Sequence, residues 1–197
     1  MADRDQISCT AFAGNRRIAS GSLAKVAQEA KKVLNRGGSQ PVLIFDDSTS
    51  ELVEVDLRGT QAEIAKRLAQ VAPAVEEQEQ SARGRGRPRL GVVPREVTLL
   101  PRHWEWLNAQ PGGASVALRK LVEEARRVNA GRDKTRRGQE VTYRFMSAMA
   151  GNFPGFEEAA RALFAPDPDR FEDLIASWPV DIRQHVSDLA DAAFGEF

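Results

Sequence analysis

The chain has 197 residues, enough for one medium domain or two small ones, and its 28 basic side chains balance 28 acidic ones. Its single cysteine, Cys9, excludes a disulfide framework and a cysteine-based zinc site, and the two histidines, His103 and His185, stand too far apart for a local metal motif. No run approaches the roughly 18 apolar residues of a membrane span, and the opening MADRDQIS lacks the apolar stretch of a signal peptide, so a reduced, soluble, cytoplasmic protein without a membrane partner is expected.

The neutral total hides an uneven distribution. Residues 1–82 carry a net charge of −2, residues 83–137 carry +9, and residues 138–197 carry −7. A strongly basic middle in a neutral chain suits a nucleic-acid binder with flanking service regions.

Residues 8–19 alternate weakly around Gly14-Asn15 and read as a short strand or hairpin. Ser20-Gly21-Ser22 is expected to cap a helix with Leu23, Val26, Ala27, Ala30, Val33 and Leu34 on one face, stopped by Gly37-Gly38. Val42–Phe45 is a fully apolar strand, Asp46–Ser50 a turn, and Leu52, Val53 and Val55 a further strand. Gly59-Thr60 then caps a helix in which Ile64, Leu68 and Val71 share a face. The order β-α-β-β-α predicts a small α+β domain over residues 1–72. Asp46, Asp47, Ser48 and Ser50 read as turn formers rather than a metal or phosphate site.

Residues 73–94 change in character. Glu76, Glu77 and Glu79 give way to Arg83-Gly84-Arg85-Gly86-Arg87-Pro88-Arg89, which cannot build a core and reads as a flexible basic linker. Arg85-Gly86-Arg87-Pro88-Arg89 resembles the core of an AT-hook, with Gly84 where a proline usually precedes the first arginine. Glycine lets such a backbone lie deep in a narrow minor groove, proline keeps it extended, and the arginines meet the strongest negative potential. The plainer alternative is a solvated basic linker.

Arg95–Leu100 is β-rich and ends at Pro101, suited to the first position of a helix. Arg102–Gln110 reads as a short helix with Trp104 and Leu107 on one side, and Pro111-Gly112-Gly113 breaks it. Ser115 is expected to N-cap a second helix whose Leu118, Leu121, Val122 and Ala125 follow helical spacing. This strand, helix, glycine turn and helix resemble the ribbon-helix-helix family, and the whole chain resembles an uncharacterised bacterial family carrying the same segment. The ribbon-helix-helix resemblance implies an intertwined homodimer in which two strands pair antiparallel and enter the major groove. It implies a phosphate held by Gly113, Ala114 and Ser115, with Val97, Leu99, Trp104, Leu107, Leu118, Leu121 and Val122 at the dimer interface.

The strand register decides what the ribbon presents. Burying Leu100 would also bury Glu96, an expensive carboxylate, so Val97 and Leu99 are expected inward and Arg95, Glu96 and Thr98 belong to the DNA-binding set. Glu96 and Thr98 make a poor cationic reader, which leaves affinity to Arg83, Arg85, Arg87 and Arg89. Arg126, Arg127, Arg132, Lys134, Arg136 and Arg137 extend the positive segment, read either as a solvated helix end or as a second backbone-contacting patch.

Residues 95–137 therefore form the expected ribbon-helix-helix segment and residues 138–197 an acidic helical region. Val141, Phe145, Met146 and Met149 make one apolar face there, Phe156, Ala160, Leu163 and Phe164 a second, Phe171, Leu174, Ile175 and Trp178 a third, and Ile182, Val186 and Leu189 a fourth. No nucleophile, base and orienting acid stand at recognisable spacing, so neither an enzyme nor a cofactor is expected. The function expected is a dimeric transcriptional regulator or nucleoid-associated protein that prefers A·T-rich DNA. Two alternatives stay open. One is an antitoxin-like interaction protein that only dimerises through this motif and binds a protein partner through the N-terminal domain or acidic helices; the other is RNA binding.

Overall fold

The hairpin that opens the chain sends its side chains to two sides of a sheet, and that division organises most of the molecule. The structure is a computed structural model that describes residues 8–37, 40–71, 93 and 95–195. It is an α+β fold whose described residues fall into two compact units, one before residue 82 together with those from 134 onward, the other ending at residue 133.

In the larger unit, β1 (Ser8–Ala13) and β2 (Arg16–Ser22) pair antiparallel, and β3 (Val42–Asp46) pairs antiparallel with the other edge of β1, giving the order β2-β1-β3. Gly14 takes φ +55° at the turn, a left-handed conformation that costs glycine least. β2 runs on to Ser22, so Ser20 and Gly21, expected as helix caps, are strand residues, and Ser22 caps α1 (Leu23–Asn35) without a side-chain hydrogen bond. Gly37, at φ +77°, donates to the Leu34 carbonyl and ends α1 as expected.

The expected strand at Leu52–Val55 is reduced to a single bridge between Phe45 and Leu52. After the turn at Asp46, where Ser48 donates both its N–H and hydroxyl to the Asp46 carboxylate, the chain follows β3 only briefly before Val53, Val55 and Leu57 lean onto the α1 side. The N-terminal order is thus β-β-α-β-α. Thr60 and Glu63 cap α2 (Gln61–Val71) reciprocally, the Thr60 N–H donating to Glu63 Oε2 at 2.7 Å and the Glu63 N–H to Thr60 Oγ1 at 3.3 Å.

Strand alternation now assigns two cores. Cys9, Ala11 and Ile44 face Val26 and Ala30 of α1, whereas Phe12 and Phe45 face the C-terminal helices. Those helices are the last part of α4 (Gly113–Met149), α5 (Phe156–Phe164), α6 (Pro168–Ile175) and α7 (Val180–Phe194). Phe12, Phe45 and Phe145 meet at ring-centroid distances of 5.0 to 6.3 Å, and Ile175, Trp178, Ile182 and Val186 complete the same cluster. Residues 138–197, set apart from 1–72 by composition, therefore share a hydrophobic core with the N-terminal strands. Phe164, expected on a buried face, is half exposed and touches Tyr143 instead.

Two contacts explain how that core closes. Gly138, taken in the sequence as a boundary, lies inside α4 and is buried where α4 crosses α7, with the backbone of Ala192 and Ala193 directly above its hydrogen. His185 of α7 is buried between Phe12 and Phe145, at 5.3 and 4.5 Å between ring centroids, and its Nε2 has no hydrogen-bond partner. Burial pushes its pKa below the ordinary histidine value, against the opposing influence of the Asp47 carboxylate.

Candidate nucleic-acid interface

The smaller unit is built from the sequence after Pro94. The arginine hook, Arg83, Arg85, Gly86, Arg87, Pro88 and Arg89, lies outside the described residues. Residues 95–100 form no strand in a single chain; Arg95, Glu96, Val97, Thr98 and Leu100 are exposed and Leu99 is half-buried. Val97, expected inward on a strand, is 54 % exposed on an irregular segment.

Pro101 begins α3 (Pro101–Asn108), where its missing N–H costs no helical hydrogen bond. Leu107 is buried and Trp104 half-buried on the expected side, whereas His103 and Trp106 are exposed. Gly112 and Gly113 take φ +88° and +75° to turn the chain, and Val116 packs within 3.2 Å of the space a Gly112 side chain would need.

α4 then starts at Gly113, two residues before the expected cap. Ser115 sits in its first turn, its carbonyl and hydroxyl accepting from Arg119 at 3.0 and 3.2 Å. Of the three expected phosphate donors, the Gly113 N–H already donates to the Gln110 carbonyl at 2.9 Å. Ala114 is half-buried and Ser115 exposed at the helix start, where backbone N–H groups lack helical acceptors.

Beyond Ser115 the two sides of α4 differ. Ala114, Leu118, Leu121, Ala125 and Val128 recur at alternating spacings of four and three, the spacing of a seam between paired helices. Leu118 is half-buried, but Leu121 (48 %) and Val128 (67 %) are exposed, as is the adjacent Val122 (56 %). The opposite side carries Arg119, Lys120, Arg126 and Arg127, all exposed. Two carboxylates stand among them, Glu123 bonded to Arg126 at 3.1 Å and Glu124 to Arg127 at 2.7 Å.

Sequence reasoning ended the apolar set at Ala125 and passed over these ion pairs. The signal for both was present: Val128 continues the alternation, and each glutamate stands three residues before an arginine. Among the described residues no group of three or more His, Cys, Asp or Glu side chains could hold a metal, and no helix is long and apolar enough to cross a membrane.

A family described as "Uncharacterized protein conserved in bacteria (DUF2239)" matches residues 8–190. The chain belongs to this family. No curated protein and no solved structure matches it. The DUF2239 match takes in the strands that open the larger unit, the whole of α3 and most of α7, so the basic segment is part of the family's own extent.

Proposed function

We propose that this DUF2239 protein binds DNA as a homodimer, as a transcriptional regulator or nucleoid-associated protein. One observation carries the proposal. The segment after the arginine hook presents an uncovered apolar seam on one side of α4 and cations on the other. Large apolar side chains left in water favour association, and a second copy of the same segment offers a self-complementary partner. Pairing would bring together two copies of Val97 and Leu99 and, with them, two arginine hooks whose affinity adds through their linkage.

The division of labour follows from side-chain chemistry. Arg83, Arg85, Arg87 and Arg89 supply attraction to phosphate and a preference for the narrow groove of A·T-rich duplexes. Glu96 and Thr98 are the positions a paired ribbon would present to base edges, and Ala114 and Ser115 offer backbone N–H groups to a phosphate.

A mobility-shift series tests this with an A·T-rich duplex, a G·C-rich duplex and RNA, each at several salt concentrations. Preference for the A·T-rich duplex, weakened by Arg85→Ala with Arg87→Ala, is the expected result. Equal binding to structured RNA would move the assignment to RNA. Absence of any binding near physiological salt would leave an interaction module that uses this segment only to dimerise.

A further inference from the structure

We infer that the cationic side of α4, rather than the helix start alone, contacts the sugar-phosphate backbone of duplex DNA, and that Glu123 and Glu124 hold its arginines in reserve. The inference rests on the DNA-binding proposal, although it needs neither the ribbon nor the hook.

The geometry comes from the helix. Successive residues turn by about 100°, and seven residues advance about 10.5 Å with a drift of only about 20°. Arg119 and Arg126 therefore form one row and Lys120 and Arg127 a second, about 100° away on the same side. Between the rows stand Val116, Glu123 and Ala130, so the surface has two cationic edges and a narrow middle. A compact anion would need its donors to converge on one point. Cations set in parallel rows fit an extended polyanion with charges on two sides, as the phosphates flanking a DNA groove provide.

The ion pairs set how strongly this surface acts. Arg126 and Glu123 are 74 % and 68 % exposed, and Arg127 and Glu124 are 75 % and 59 % exposed. Such pairs contribute little to folding, so an arginine can exchange its carboxylate for a phosphate at small cost. Until it does, the carboxylate competes with DNA for the same guanidinium. The two glutamates thus act as resident competitors that lower affinity without touching the ligand.

The test uses full-length protein and a fluorescein-labelled 20-base-pair duplex, with anisotropy titrations between about 50 and 200 mM salt. Each lost phosphate contact lowers the salt slope by about 0.9, so Lys120→Gln with Arg127→Gln should reduce it by about 2. Affinity should then fall about twelvefold less steeply across that range. Glu123→Gln with Glu124→Gln should do the opposite, tightening binding and steepening the slope, a gain that a misfolded variant would not produce. If the wild type binds but neither double variant changes affinity or slope, the inference is overturned while DNA binding stands. It is also overturned if the variants alter binding only to single-stranded RNA of the same length. If the wild type binds no duplex, the DNA-binding proposal fails and this inference fails with it.

Discussion

Replacing Gly138 with alanine tests whether α4 and α7 truly meet backbone to backbone. A methyl group at 138 would lie 2.5 Å from both the Ala192 carbonyl carbon and the Ala193 nitrogen, and 2.8 Å from the Ala192 oxygen. Ordinary contacts of this kind need about 3.5–4.0 Å, so the two helices must part by about 1 Å. The obstructing atoms are main chain, which no rotamer change can move. Overpacking of this sort costs about 1–3 kcal/mol. Against it stands the gain of about 1 kcal/mol that alanine brings over glycine within a helix. The net expectation is destabilisation by up to about 2 kcal/mol, which at a urea m-value of about 2 kcal/mol/M lowers the midpoint by up to about 1 M. Gly131→Ala in the same helix is the control, since nothing lies within 4 Å of the added methyl group and it should gain helical stability. Urea titrations followed by far-ultraviolet circular dichroism read both. If Gly138→Ala stabilises the protein as Gly131→Ala does, the crossing contact is refuted.

Other expectations follow from single contacts. Because burial lowers the His185 pKa below its unfolded value near 6.5, the folded state binds fewer protons there, so its stability is full above that pH and declines as pH falls below it. Denaturation midpoints at pH 7 and pH 5 should show this decline, and His185→Phe should flatten it; an unchanged pH dependence in the variant would count against the buried site. Leu121→Glu with Val128→Glu should leave monomer stability within about 0.5 kcal/mol, because both side chains are exposed in one chain, yet abolish the proposed dimer by sedimentation equilibrium. A persisting dimer would move the interface elsewhere. Thr60→Ala should cost about 1 kcal/mol through loss of the reciprocal cap on α2, and an unchanged thermal midpoint would contradict that capping role.

Much of the fold was legible because local chemistry agreed with the tertiary outcome. Gly14 and Gly37 mark turns with positive φ, the Thr60–Glu63 pair marks a helix start, and the face containing Phe145 and Met146 is buried as its spacing implies. The strand expected at Leu52–Val55 shrank because β propensity does not say how long a chain stays beside its neighbour. Gly138 misled because glycine inside a helix usually signals a boundary, and only the distant Ala192–Ala193 backbone reveals that close approach is what requires it. The common core of residues 8–46 and 138–194 was hidden for the same reason. Periodicity shows that Phe12 and Ile182 each face something apolar, but not that they face one another. At the candidate interface the basic rows and the apolar spacing of α4 could be read from the sequence, whereas the β-rich composition of residues 95–100 did not show that they form no strand in the single chain and leave Val97 exposed.

Sedimentation velocity of the full chain with a labelled A·T-rich duplex tests the central claim most directly. A complex containing two protomers per duplex, formed at moderate salt and dispersed at high salt, is the predicted result. A duplex that sediments unchanged at every protein concentration would contradict it.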